Sequence, residues 1–236
     1  MNRIVYMVLK NVIHIPRWFY HVWKWGRPTD QHTEQERYDY LRAIVKKLNV
    51  SANIQVEGSG TDTLPADNGF IMFPNHQGLF DVLALIDICP KPFAVVIKKE
   101  ASNIILVKQV IEYLRGIAID RKDMRSSMQV IKQMTEEVKT GRNYIIFSEG
   151  TRSHNGNNIL DFKPGTFKSA VNAKCPIVPV GLIDSFKPFD INSIKPVKVK
   201  VRFLKPIDPE LYMGLKTIQI ADMVHDQIQE EINRNL

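Results

Sequence analysis

The sequence predicts an α/β fold: a mixed, largely parallel sheet flanked by helices and preceded by an amphipathic N-terminal helical segment. Three observations predict it. From Ser51 onward, short β-rich apolar runs alternate with stretches of helical periodicity, the pattern of a sheet covered by helices. The glycine-containing polar stretches fall where a β-run gives way to a helical one, the place where sites collect in such sheets. Ahead of these, the chain up to Asp30 holds five basic residues, no acid and all three tryptophans.

The first element is residues 3–25. Its longest purely apolar run, 4–9, is far short of the ~18–20 residues of a spanning helix. It also lacks the long apolar core and small-residue cleavage site of a signal peptide. On a helix, Arg3, Lys10, His14, Arg17, His21 and Lys24 fall in one stripe, while Ile4, Val5, Val8, Val12, Ile15, Phe19, Val22 and Trp23 cover much of the rest. A wide apolar face, a basic stripe and clustered tryptophan describe a helix lying in the headgroup plane of an anionic membrane. Arg3, Lys10, Arg17, Trp18, Trp23, Lys24 and Trp25 are the expected docking side chains. The alternative is a helix packed on its own domain. Pro16 should kink or split the segment. A second helix, 34–48, carries Tyr38, Leu41, Ile44, Val45 and Leu48 at helical spacing. Residues 1–50 are thus expected to form a two-helix membrane-association segment, and 51–236 a single α/β domain.

The formal net charge of +7 comes mostly from that N-terminus, so the partner it implies is a bilayer surface and not a nucleic acid. Cys89 and Cys175 are far apart and form no metal-binding or disulfide pattern. Two isolated thiols suit a reducing compartment, as small buried hydrophobes. A peripheral place on the cytoplasmic face of the cell membrane follows as an expectation.

In the main domain the expected strands are 54–57, 70–73, 93–97, 117–119, 144–147, 177–181 and 197–203. The expected helices are 79–88, 104–114, 125–139, 166–173 and 218–234. In the third of these helices Met128, Ile131, Met134 and Val138 mark an apolar face, and Gly141 is a stop signal. CPIVPVGL, residues 175–182, reads as a core strand.

The motif NHQGLFD, residues 75–81, joins a strand to a helix. Residues five apart on one continuous helix point about 140° away from each other, so His76 and Asp81 meet only if the chain turns between them. Gly78 permits such a turn. A carboxylate beside a histidine fixes its tautomer and stabilises the imidazolium formed on proton uptake; this is general-base chemistry. The plain alternative is a turn in which Asp81 caps the helix. No GxSxG is present, and no serine or cysteine lies near His76 in sequence, so the attacking hydroxyl can belong to the substrate. Two further stretches, GIAIDRKD (116–123) and FSEGTRS (147–153), each run from a strand into charged residues, and FKPGTFK (162–168) follows. Arg121, Arg152 and Lys163 are candidates for a phosphate clamp, with Gly150 and Gly165 allowing close backbone approach. Glu149 either holds Arg152 or binds a substrate hydroxyl. The alternative is a set of local surface ion pairs.

NHQGLFD, GIAIDR, FSEGTRS and CPIVPVGL, in that order over residues 70–185, resemble the glycerolipid acyltransferase family, most closely its bacterial 1-acyl-glycerol-3-phosphate acyltransferases. The resemblance implies acylation of a lysophosphatidic acid by acyl-CoA or acyl carrier protein, giving phosphatidic acid, with no metal, no cofactor and no acyl-enzyme. It implies His76 as base, Asp81 as its partner, and Arg121, Glu149, Gly150, Thr151 and Arg152 on the glycerol phosphate. Lys98 and Lys99 resemble a basic patch between the first two motifs, so Lys99 joins the phosphate-binding set. Ser148 stands where the family usually has proline, and a modest backbone change is expected there. Other readings are the same chemistry on another lysophospholipid or on glycerol 3-phosphate, a metal-dependent hydrolase using His76, Asp81, Glu149 and His154, and a non-catalytic membrane-binding protein.

Overall fold

The structure, a computed structural model, describes residues 2–27, 29–99, 105–120 and 123–236. Seven strands form one sheet: β1 (Ile54–Ser59), β2 (Ile71–Pro74), β3 (Ala94–Lys98), β4 (Ile117–Ile119), β5 (Tyr144–Ile145), β6 (Ile177–Ile183) and β7 (Val197–Phe203). Their order across the sheet is β1-β7-β6-β2-β5-β3-β4. Among these, only β6 and β7 pair antiparallel. The mixed, largely parallel sheet expected from the sequence is therefore present, with each expected strand in place. The expected 144–147 is shorter as a strand: Ile146 N–H makes a last bond to Met72 O of β2, and the chain then turns toward the site.

Successive residues of a strand face opposite sides, and β2 shows it. Met72 belongs to an apolar cluster with Tyr38, Leu41, Leu85 and Val180. Ile71 and Phe73 belong to a second cluster with Val130, Met134, Val224 and Ile228. The first layer is built by α3 (Glu34–Ser51) and α4 (Asp81–Ile88), the second by α6 (Met124–Lys139), α7 (Lys168–Ala173) and α10 (Thr217–Asn235). Each large apolar side chain so buried contributes about 1.5–3 kcal/mol. The other helices of the domain are α5 (Ile105–Tyr113), α8 (Lys187–Asp190) and α9 (Pro209–Tyr212). The two short ones have no counterpart in the sequence reading, since four residues are too few for a helical period to show. The expected apolar face of α6 is corrected at one point: Met128 is 65% exposed, and the buried apolar positions are Val130, Met134 and Val138.

The first 25 residues form two helices, α1 (Arg3–Lys10) and α2 (Ile15–Trp25), with Pro16 in the first turn of α2. Proline is tolerated there because its missing N–H has no helical partner anyway. Asn11, at the break, is buried and donates to Met7 O and to Ser51 Oγ. Helix α3 starts with a capping box, Thr33 and Glu36 each accepting the other's backbone N–H. Tyr38, Leu41 and Val45 then enter the core. Helix α3 is therefore part of the α/β domain, and the expected segment 1–50 shortens to α1 and α2 as the stretch with an outward apolar face.

Two expected docking side chains are also corrected. Arg3 is buried, donating from Nε to Pro188 O at 3.1 Å, from Nη1 to Ala52 O at 2.6 Å and from Nη2 to Lys195 O at 2.7 Å. Those carbonyls come from parts of the chain that a helical wheel does not see. Trp25 packs against the core and stacks on His32, ring centroids 3.9 Å apart. Lys10, Arg17, Trp23 and Lys24 remain exposed, and Trp18 is half-buried over His14.

Candidate active site

Strand β2 lies between β6 and β5 and is parallel to both. The chain therefore leaves all three strands at one edge of the sheet. NHQGLFD leaves β2, FSEGTRS leaves β5, and Asp184–Ser185 leave β6. Side-chain hydrogen bonds join the three exits.

His76 precedes the helix, and Asp81 is the first residue of α4. The turn between them brings His76 Nδ1 to 2.7 Å from Asp81 Oδ2. The same oxygen accepts the backbone N–H groups of Gln77 at 2.7 Å and Gly78 at 3.0 Å, while Oδ1 accepts from Ser185 Oγ at 2.6 Å. Asp81 is fully buried and the His76 side chain is 22% exposed. With Nδ1 committed to the carboxylate, Nε2 is the ring nitrogen left for a substrate proton. The ring stacks on Phe147 at a centroid distance of 4.2 Å, which fixes its plane. Gly78 serves differently from the sequence expectation. Its φ is not in the left-handed region. A Cβ there would lie 3.2 Å from Phe186 Cα, a tight contact, so glycine eases the close approach of the β6 exit.

Glu149, expected to hold Arg152 or to bind a substrate hydroxyl, holds the loop through backbone N–H groups and does not pair with Arg152 among the described residues. It is 2% exposed, and its two oxygens accept the N–H of His76 at 2.6 Å and of Leu160 at 3.0 Å. Burial pushes its carboxyl up to about 7, and those two donors pull it only part of the way back. Between about pH 4.5 and 7, the folded chain holds a proton here that the unfolded chain has lost. Stability from this group therefore falls as pH rises through that window. In urea unfolding at pH 5 and pH 7, wild type should lose stability across the interval through this group. Glu149→Gln should lack that part of the slope, and identical slopes would remove the assignment.

The basic candidates divide. Ser153 N–H donates to His76 O at 2.9 Å, placing Arg152 one residue from a direct contact with the base. The Arg152 guanidinium is half-buried and makes no hydrogen bond or ion pair among the described residues. Lys163 is exposed, and its chain crosses Gly150: a Cβ on Gly150 would lie 2.6 Å from Lys163 Nζ. Gly150 also has φ +75°, which favours glycine. A Cβ on Gly165 would meet nothing within 4 Å, leaving room above it. Thr151 is exposed beside them. Lys99 lies at the end of β3, 3.6 Å from Asp120 after β4. Arg121 lies outside the described residues. Ser148, in place of proline, is buried and accepts from Thr166 Oγ1 at 2.9 Å, while its carbonyl accepts from Lys163 N–H.

Sequence reasoning missed four residues of this network. Asn75 exchanges hydrogen bonds with both the N–H and C=O of Leu182. Gln77 accepts from Ser185 N–H and donates to Asn157, which in turn holds Asp184. Asn75 and Gln77 were in plain view, as polar side chains flanking the histidine. Nothing local marks Asn157 or Ser185. Both cysteines are buried as expected, and burial raises the Cys89 thiol to about 11. Among the described residues no three His, Cys, Asp or Glu side chains are placed to hold a metal ion, so the four residues of the hydrolase alternative form no metal-binding set.

The Acyltransferase family model matches residues 55–183, more than half of the chain. The chain is 30% identical over 189 residues to the 1-acyl-sn-glycerol-3-phosphate acyltransferase alpha of Ovis aries, an alignment covering 77% of this chain and 63% of that protein. It is 31% identical over 130 residues to the 1-acyl-sn-glycerol-3-phosphate acyltransferase of Helicobacter pylori, covering 55% of each. To the protein of the same name from Borreliella burgdorferi it is 26% identical over 194 residues, covering 81% and 77%. The chain thus spans less than two thirds of the mammalian relative it matches. The crystal structure of the 1-acyl-sn-glycerophosphate (LPA) acyltransferase PlsC from Thermotoga maritima has a TM-score of 0.76 to this chain at 22% identity. It covers 98% of this chain and 93% of that one, and so has the same fold.

Proposed function

Because the chain belongs to the acyltransferase family, we propose that it transfers a fatty acyl group from acyl-CoA or acyl carrier protein to the free hydroxyl of 1-acyl-glycerol 3-phosphate, giving phosphatidic acid. The observation that carries this reading is the His76–Asp81 pair with Nε2 left open at the edge of the sheet. Ser185, the hydroxyl nearest the pair, bonds to Asp81 and not to His76. That order is wrong for a nucleophilic triad, so the attacking oxygen is supplied by the acceptor lipid.

His76 Nε2 takes the acceptor hydroxyl's proton as that oxygen bonds to the thioester carbonyl carbon. The tetrahedral intermediate collapses with loss of the C–S bond, and the imidazolium returns its proton to the leaving thiolate. Asp81 balances the charge on the ring in between. The N–H groups of His76, Gln77 and Gly78 are already committed to Glu149 and Asp81, so oxyanion donors come from elsewhere. Arg152 and Lys163 clamp the acceptor phosphate, and Lys99, Arg121, Gly150 and Thr151 belong to the phosphate-binding set by their match to the family's motifs. The acyl thioester is a co-substrate, and the reaction calls on no metal or cofactor.

The acceptor resides in a bilayer, and α1–α2 supply the docking surface on its cytoplasmic face. Val5, Val8, Leu9, Val12, Ile13, Phe19 and Trp23 are exposed there, with Ile13 at 86%. Lys10, Arg17, Lys24 and Arg27 are exposed among them. No helix of the described residues is long and apolar enough to cross a membrane, and the arrangement suits one that lies in the headgroup plane.

The test is turnover with an acceptor panel on anionic vesicles. Lysophosphatidic acid should be acylated. Monoacylglycerol, which lacks the phosphate, should not, and equal use of both would remove the clamp. Trp23→Ala with Lys24→Ala should lower turnover on vesicles but not on acceptor dispersed in detergent. An equal effect in both would remove the docking surface.

A further inference from the structure

The exit from β6 braces the His76–Asp81 pair from behind. Asp184 adopts a left-handed backbone with φ 61°, which turns the chain back over the NHQG loop. Ser185 follows it, fully buried. Its Oγ donates to Asp81 Oδ1 at 2.6 Å, and its N–H donates to Gln77 Oε1 at 2.7 Å. Three amides, Asn75, Gln77 and Asn157, tie Leu182, Asp184 and Ser185 to the β2 exit. The place of residue 185 against residue 81 is therefore built and not incidental.

The two carboxylate oxygens are held unequally. Oδ2 accepts from His76 Nδ1, Gln77 N–H and Gly78 N–H. Oδ1 has the Ser185 hydroxyl and only a longer contact, 3.1 Å, to the same Gly78 N–H. The terminal torsion of aspartate has a broad, soft well, so the strong donor on Oδ1 acts with the donors on Oδ2 to set the carboxylate's rotation. We propose that Ser185 is a positioning residue: its hydroxyl sets the rotation of the Asp81 carboxylate so that Oδ2 stays in line with His76 Nδ1. The Ser185–Asp81–His76 line ends at Nε2, with the serine at the end remote from substrate. This inference rests on His76 being the base.

Ser185→Ala and Ser185→Cys remove the strong donor, the second with little loss of volume; Ser185→Thr keeps it. The measurements are kcat and KM for both substrates, Tm, and the downfield Nδ1–H proton of His76 by NMR. In the Ala and Cys variants kcat should fall about 10–100-fold, with both KM values within about twofold of wild type. Their Nδ1–H line should broaden or vanish. The Thr variant should recover kcat and the line. Folded Ala and Cys variants with wild-type kcat and an unchanged line would overturn the proposal. So would loss of kcat in all three variants in proportion to Tm, which is the mark of a structural role. If the wild type fails to turn over, the reading of His76 as base fails instead, and the proton line alone still decides whether Ser185 holds the pair.

Discussion

His76→Ala lowers turnover by about 10³-fold or more and leaves the fold in place. The loss follows from the role: with no base, the acceptor hydroxyl must attack with its proton on, and general-base catalysis commonly contributes about 10²–10⁴-fold. Retention of the fold follows from the contacts. The backbone N–H and C=O of residue 76 keep their bonds to Glu149 and Ser153 whatever the side chain. Asp81 keeps Gln77 N–H, Gly78 N–H and the Ser185 hydroxyl. The ring itself is part-exposed, with one face stacked on Phe147. A circular-dichroism melt within a few degrees of wild type, beside a near-complete loss of turnover, is the expected pair of results. Near-normal turnover would sink the assignment.

Asp81 is expected to separate charge from geometry. In Asp81→Asn the amide oxygen stays on the side of His76, Gln77 and Gly78, because all three are donors there. The amide nitrogen then faces Ser185, whose hydroxyl can rotate to accept. Every buried group keeps a partner, so stability should change little. The negative charge is gone, and the imidazolium formed on proton uptake faces a neutral oxygen. Turnover should fall by about 10²–10⁴-fold. Asp81→Ala leaves two backbone N–H groups and a hydroxyl buried without acceptors, each costing about 1–3 kcal/mol. It should lose both turnover and several degrees of Tm. Equal destabilisation of the two variants in urea titrations would contradict this account of the site.

Most of the sheet was legible because its strands are apolar runs bounded by turn residues, and 117–119 and 197–203 match β4 and β7 end to end. Pro16 announced the break between α1 and α2 for a stated steric reason. The His76–Asp81 contact was legible because its partners sit five residues apart and the turn between them is local. What the sequence hid was long-range. Ser185 is 104 residues from the carboxylate it holds, and Arg3 is 185 residues from Pro188 O. Pairings of this kind are made by topology and leave no periodic trace. Glu149 was found as a member of the site, but its hold on the loop was not legible. The donors to a carboxylate are sought among side chains in a sequence, and here both are backbone N–H groups. Trp25 looked like a headgroup anchor because a helical wheel does not show that His32 and Tyr40 cover it.

The central claim is that His76 acts directly on the acceptor hydroxyl, with no acylated enzyme between. The measurement that tests it is rapid-quench thiol release from an acyl thioester by wild type and His76→Ala, on vesicles with and without lysophosphatidic acid. Release should require both the acceptor and His76 and should match phosphatidic acid mole for mole. A stoichiometric burst of thiol without acceptor, leaving an acyl group on the protein, would contradict the account.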